Sequence, residues 1–67
     1  MLLGKRLKIL RENKDLSQEN LADELKVSQP AYSKWESDQT DVSYQTLCKI
    51  TKFYEITVSE LIDLFLK

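Results

Sequence analysis

Residues 17–36, SQENLADELKVSQPAYSKWE, hold the chain's only proline and its only tryptophan, together with two short runs of helical apolar spacing. In the first run Leu21, Ala22 and Leu25 share one helix face; in the second Ala31, Tyr32 and Trp35 do the same. A serine precedes each run. The hydroxyls of Ser17 and Ser28 can accept bonds from the free backbone N–H groups of a first helical turn. With Ser28 as the cap, Gln29 and Pro30 take the first two helical positions. An N–H there has no intrahelical partner, so the proline marks the start of a helix rather than a break in one.

Angle separates the two faces of this second helix. At about 100° per residue from Gln29, the centre of Ala31, Tyr32 and Trp35 falls near about 250°. Gln29, Pro30, Ser33 and Lys34 centre near about 70°, on the opposite side. One face is built to pack. The other offers an amide, a compact apolar ring, a hydroxyl and an ammonium. Lys26-Val27 alone joins the two short helices, and Leu21, Ala22, Val27, Tyr32 and Trp35 are their shared packing residues. That arrangement is a helix-turn-helix over about 17–36. In such a motif the second helix enters the DNA major groove, and its N-terminal residues reach the base edges.

The rest of the chain continues in the same manner. Leu3, Leu7 and Leu10 line an earlier helix over about 2–13. Ser43 and Ser59 are read as the caps of two later helices, over about 44–54 and 60–66. Leu47, Ile50 and Tyr54 line the first of these, and Leu61, Ile62 and Phe65 the second. Val27, Ile56 and Val58 are placed in short connections that plug the core. The expected fold is a compact, all-α, five-helix domain occupying the whole chain, 1–67.

Composition limits the chemistry. A chain of 67 residues has a small core, near the lower limit for folding without staples. The single cysteine, Cys48, makes no internal disulfide, and without histidine there is no zinc ligand set. Cys48 is read as a small, partly buried apolar residue. No metal, cofactor or small-molecule effector is expected, and the absence of histidine, of a glycine-rich loop and of a carboxylate pair in a pocket argues against an enzyme. Lys5, Arg6 and Lys8 interrupt any apolar leader, and no segment is long enough to cross a bilayer, so a cytoplasmic location is expected. Net charge is −1 but unevenly spread: residues 1–34 carry a net +2 and residues 35–67 a net −3. This permits a mildly positive face opposite an acidic one.

From about Leu7 to Ile62 the chain resembles the Cro/phage-repressor type (XRE family) of helix-turn-helix domain, which has a lambda-repressor-like fold. The matching pieces are LKILRENKDLSQENLADELKVSQ, the SKWE that closes helix 3, SYQTLCKITKFY and ITVSELI, in order and at family spacing. The resemblance implies roles for particular residues. Gln18 matches a glutamine that bonds a backbone phosphate and buttresses the first glutamine of helix 3. Gln29 matches a leading base-reading position, where a glutamine amide suits adenine N6 and N7 together. Pro30, Ser33 and Lys34 match other groove-facing positions: Lys34 would reach guanine O6/N7 or a phosphate, and Pro30 would make only apolar contact. Arg11 and Glu36 match an ion pair tying helix 1 to the end of helix 3. Lys8, Ser17, Ser43 and Tyr44 are candidate phosphate contacts.

Two departures from the family pattern stand out. Lys26 occupies a position where the family often has glycine, so a left-handed backbone there would be strained. After Glu36 the family often shows Gly, Lys or Arg and then Pro, whereas Ser37–Val42 supplies two acids and no base. Asp38 and Asp41 should therefore weaken attraction to phosphates, unless the loop turns away.

The implied partner is double-stranded DNA, read by a homodimer on a palindromic operator. Leu61, Leu64, Phe65 and Leu66 are the candidate dimer interface, since the C-terminal stretch has more apolar residues than one buried stripe needs. The expected function is a sequence-specific transcription regulator, a repressor acting by promoter occupancy. The alternative is a protein-interaction module of the same fold, such as an antitoxin that binds a toxin.

Overall fold

The computed structural model describes residues 2–63. Five helices follow one another: α1 Gly4–Asn13, α2 Gln18–Leu25, α3 Gln29–Glu36, α4 Tyr44–Tyr54 and α5 Val58–Ile62. Among the described residues there is no strand. α3 packs on both α1 and α2, while α4 joins α2 to α5. Each helix turns an apolar stripe inward: Leu7 from α1, Leu21, Ala22 and Leu25 from α2, Tyr32 from α3, Leu47, Ile50 and Tyr54 from α4, and Leu61 from α5. Leu3 and Val42 close the core from the segments before α1 and α4. Full burial of each such leucine is worth about 1.5–3 kcal/mol. The short helices are therefore held by the core they build, not by their own propensity.

Local chemistry sets the helix starts. Ser17, Ser28 and Ser43 cap α2, α3 and α4, accepting from the backbone N–H of Asn20, Ala31 and Thr46 at 3.0, 3.2 and 3.2 Å. Pro30 sits in the first turn of α3, where the missing N–H is not needed. α5 departs from the serine rule. Its cap is Thr57, whose hydroxyl accepts from Glu60 N–H at 3.0 Å while the Glu60 carboxylate accepts from Thr57 N–H at 2.9 Å. Two reciprocal bonds outcompete the single one that Ser59 could offer, so α5 begins earlier than expected and takes in both Val58 and Ser59. α1 starts at Gly4 rather than near residue 2. Leu2 is exposed, and Leu3 offers no side-chain cap. Cys48, read as partly buried, is exposed, because it faces away from the Leu47–Ile50–Tyr54 stripe of α4.

The α2–α3 turn has the backbone expected of a position that favours glycine. Lys26 lies in the left-handed region, φ 59° and ψ 43°, and its N–H closes α2 onto the carbonyls of Ala22 and Asp23. For a residue with a Cβ this conformation costs about 1–2 kcal/mol, and glycine's greater unfolded-state freedom recovers only part of it. Lys26→Gly is accordingly expected to stabilise the domain by about 0.5 kcal/mol, seen as a Tm higher by a few degrees in thermal unfolding. A lower Tm would show that the lysine side chain contributes more than its backbone strain costs.

Candidate nucleic-acid interface

α3 divides by face as its sequence dictates. Tyr32 is fully buried, and Ala31 and Trp35 are half-buried. The Tyr32 and Trp35 rings meet edge to face, with centroids 6.0 Å apart. On the other side Gln29, Pro30 and Lys34 are exposed, and Ser33 is half-buried. The helix is thus anchored by its aromatic edge and presents its N-terminal polar edge to solvent. Lys8, Ser17, Ser43 and Tyr44 are also exposed, Tyr44 with 71% of its surface free. The two serine hydroxyls are occupied within their own caps: that of Ser17 also donates to Asn20 Oδ1 at 2.7 Å, and that of Ser43 to Thr46 Oγ1 at 2.9 Å.

Glu36, at the end of α3, is the centre of the polar network beneath this surface. Arg11 grips it in a two-pronged pair, Nε to Oε2 at 2.8 Å and Nη2 to Oε1 at 3.0 Å. A third guanidinium nitrogen, Nη1, donates to the Leu16 carbonyl at 2.8 Å, so one arginine joins α1, the α1–α2 connection and α3. The Arg11 and Glu36 side chains are only 13% and 5% exposed. Burial by itself would raise the Glu36 pKa; hydrogen bonds from Arg11 and Gln18 and the nearby positive charge outweigh it, and the carboxyl is held below its ordinary value. The bond to Glu36 likewise raises the Arg11 pKa against its own desolvation. Tyr32 is buried beside Glu36, and burial first and the adjoining Glu36 carboxylate second push its hydroxyl pKa far up. Burial also pushes Tyr54 up to about 12.

Gln18 is where the geometry adds to the sequence reading. Its amide nitrogen donates to Glu36 Oε1 at 3.1 Å, whereas the resemblance implied a buttress for Gln29. Lys8, Gln18, Ser33, Glu36 and Ser37 line a shallow surface depression at the foot of α3. The acidic loop does not present both its carboxylates to this surface. Asp38 turns back to accept from the Gly4 N–H at 2.9 Å, capping the positive end of α1. Asp38 itself adopts a left-handed backbone, φ 61°, which aspartate tolerates better than most residues. Nothing in the spacing of the sequence pairs residue 38 with residue 4.

A helix-turn-helix family model matches residues 7–61, spanning all but the first helical residues of α1 and the last of α5. The chain belongs to the helix-turn-helix family. Among curated relatives of this helix-turn-helix chain, an HTH-type transcriptional activator, BcrR of Enterococcus faecalis, is 42% identical over 63 residues, which is 94% of this chain and 31% of that protein. An uncharacterized HTH-type transcriptional regulator, YqaE of Bacillus subtilis (strain 168), is 31% identical over 61 residues, 91% of this chain and 53% of that protein. The chain therefore spans about a third and about half of the two relatives' lengths. No solved structure matches it. As expected of its family, the described residues of the helix-turn-helix chain form helices and no strand, and no helix among them is long and apolar enough to cross a membrane.

One candidate dimer residue needs correction. Leu61 is fully buried in the core of this helix-turn-helix domain, so it has no surface to offer a second copy. Leu64, Phe65 and Leu66 lie outside the described residues.

Proposed function

We propose that this domain is a sequence-specific DNA-binding transcription regulator that lays α3 in the major groove. The observation that supports it most directly is the division of α3: Tyr32 and Trp35 are locked inward while Gln29, Pro30 and Lys34 stand free at the first exposed turns. A rigid helix with its readout residues outside the core meets the need for preorganised base contacts. Gln29 reads adenine through its amide, Ser33 and Pro30 make shorter contacts, and Lys34 reaches guanine or phosphate. Lys8, Gln18 and Tyr44 hold backbone phosphates, with Ser17 and Ser43 at helix N-termini beside them. Gln18 keeps one amide hydrogen on Glu36 and has a second for a phosphate oxygen.

One such unit reads only a few base pairs, so the operator is two-fold symmetric and the protein acts as a homodimer, pairing through Leu64, Phe65 and Leu66. Occupying a promoter in this way represses. The same docking activates where the operator lies upstream of the promoter; the Enterococcus relative BcrR is itself a transcriptional activator.

The test is selection from a randomised duplex pool, followed by binding across a salt series. Gln29→Ala is expected to erase the preference at one base position in each half-site, a discrimination of about 1–3 kcal/mol or roughly 5–150-fold. Lys34→Ala lowers the salt slope by about one if it holds a phosphate, and relaxes a second base position if it reads guanine. A pool that returns no preferred sequence at low salt would overturn this reading and favour a protein-binding module. A monomer mass that stays constant up to high micromolar concentration would remove the homodimer.

A further inference from the structure

Where the end of α2 meets the second half of α4, an open groove of about 270 Å³ is lined by Glu24, Leu25, Lys26, Lys49, Lys52 and Phe53. It shares no residue with the DNA-facing set. Its floor is apolar: Leu25 belongs to the core and Phe53 is a half-buried ring packed against it. Its rim is cationic. Lys14 adds a fourth ammonium, 5.8 Å from the Phe53 ring centroid. In a chain of net charge −1, four of the ten basic residues lie at this groove or over its phenyl ring, with Glu24 the single acid in the lining. Among the described residues no ion pair engages Lys26, Lys49 or Lys52.

Helix ends account for part of this. Lys14 and Lys26 cap α1 and α2, and Lys52 lies in the last turn of α4, where cations complement the helix dipole. They do not account for Lys49, nor for an apolar floor left open in the middle of the ring of charge. Lys26 also carries its cation there from a strained backbone that glycine would relax.

We propose that this groove docks an acidic segment of a protein partner, with one leucine- or phenylalanine-like side chain seated on Leu25 and Phe53 and flanking carboxylates on Lys26, Lys49 and Lys52. The volume is below the roughly 300–1,000 Å³ of small-molecule sites, and suits a side chain rather than a cofactor. A phosphate backbone would use the lysines but has nothing to place on the apolar floor. A membrane surface takes up apolar residues that protrude, whereas here they are recessed behind the lysines. The surface is separate from the proposed DNA-reading residues, with which its lining has none in common.

The experiment titrates the 15N-labelled domain with a capped synthetic peptide of Glu and Asp residues carrying one central Leu-Phe pair. Parallel titrations use the same peptide with Ala-Ala at the centre, and phosphatidylglycerol vesicles. The expected result is amide shifts centred on Leu25, Lys26, Lys49, Lys52 and Phe53, with at least about tenfold weaker binding of the Ala-Ala peptide. Lys49→Glu with Lys52→Glu, both at exposed positions, is expected to weaken the Leu-Phe peptide by at least about tenfold. Lys26→Gly removes a rim charge in a protein expected to be more stable, so weaker binding there cannot be blamed on unfolding. The proposal is overturned by equal binding of the two peptides, which is bulk electrostatics. It is equally overturned by shifts that fall on α3, by insensitivity to the double charge reversal, or by vesicle binding where the peptide fails.

Discussion

Arg11→Ala is expected to lower the stability of the domain by about 3 kcal/mol at neutral pH, a fall in Tm of at least about 10 °C. The reason lies in what remains. Glu36 keeps a carboxylate that is only 5% exposed, loses both guanidinium bonds, and retains just the Gln18 amide. An uncompensated buried charge is far more costly than an absent ion pair. The Leu16 carbonyl loses its donor at the same time. The pH dependence identifies the cause. In the wild-type domain the Glu36 pKa is lower folded than unfolded, so its contribution is present above its ordinary value of 4.5 and is lost as pH falls through the folded value. In Arg11→Ala the same buried carboxyl is easier to protonate, and protonation removes the charge that destabilises it. The stability gap between the two proteins should therefore narrow as pH falls from neutral through the ordinary carboxyl value of 4.5, and go on narrowing below it. A gap that stays constant from neutral pH to pH 4, measured by urea unfolding, would mean lost packing rather than a stranded charge.

Gly4→Ala is expected to destabilise by about 2–3 kcal/mol, opposite to the usual sign for this change within a helix, where alanine gains about 1 kcal/mol. Backbone freedom is not the issue, because Gly4 has no positive φ. Space is. A Cβ on Gly4 would run into the Glu36 carbonyl oxygen and stand 2.7 Å from Asp38 Oδ1. Relief requires α1 to move off the end of α3, which breaks the Gly4–Asp38 hydrogen bond and disturbs the Arg11–Glu36 pair. Urea unfolding should show a lower midpoint with an unchanged m-value. A midpoint that is unchanged or raised would show that α1 can shift without loss. Relaxed α1 placement should also loosen α3, so Gly4→Ala is a second, indirect probe of DNA affinity.

Much of this was legible in the residues. Apolar spacing locates α2, α3 and α4, because each inward stripe is a local periodicity and each start carries a serine that accepts from the N–H three residues ahead. The first turn of α5 begins before Ser59, because Thr57-Val-Ser-Glu60 is a capping box whose reciprocal bonds override the nearby serine. Cys48 shows the limit of residue-type preference, since cysteine is usually buried but this one follows the angle of α4. The Arg11–Glu36 pair was reached through the resemblance, because its partners are 25 residues apart and no local period links them.

By itself, then, the sequence determined that five short helices form, which face of each turns inward, and that α3 carries Gln29, Pro30, Ser33 and Lys34 opposite Tyr32 and Trp35. These follow from backbone hydrogen bonding and from angles along a single helix. Only the tertiary structure decided that Asp38 turns back onto Gly4, that Gln18 bonds Glu36, and that four lysines from three segments gather about the groove at Phe53. Each of these depends on how one helix crosses another, and that crossing is fixed by packing summed over the whole core, which no stretch of sequence carries alone.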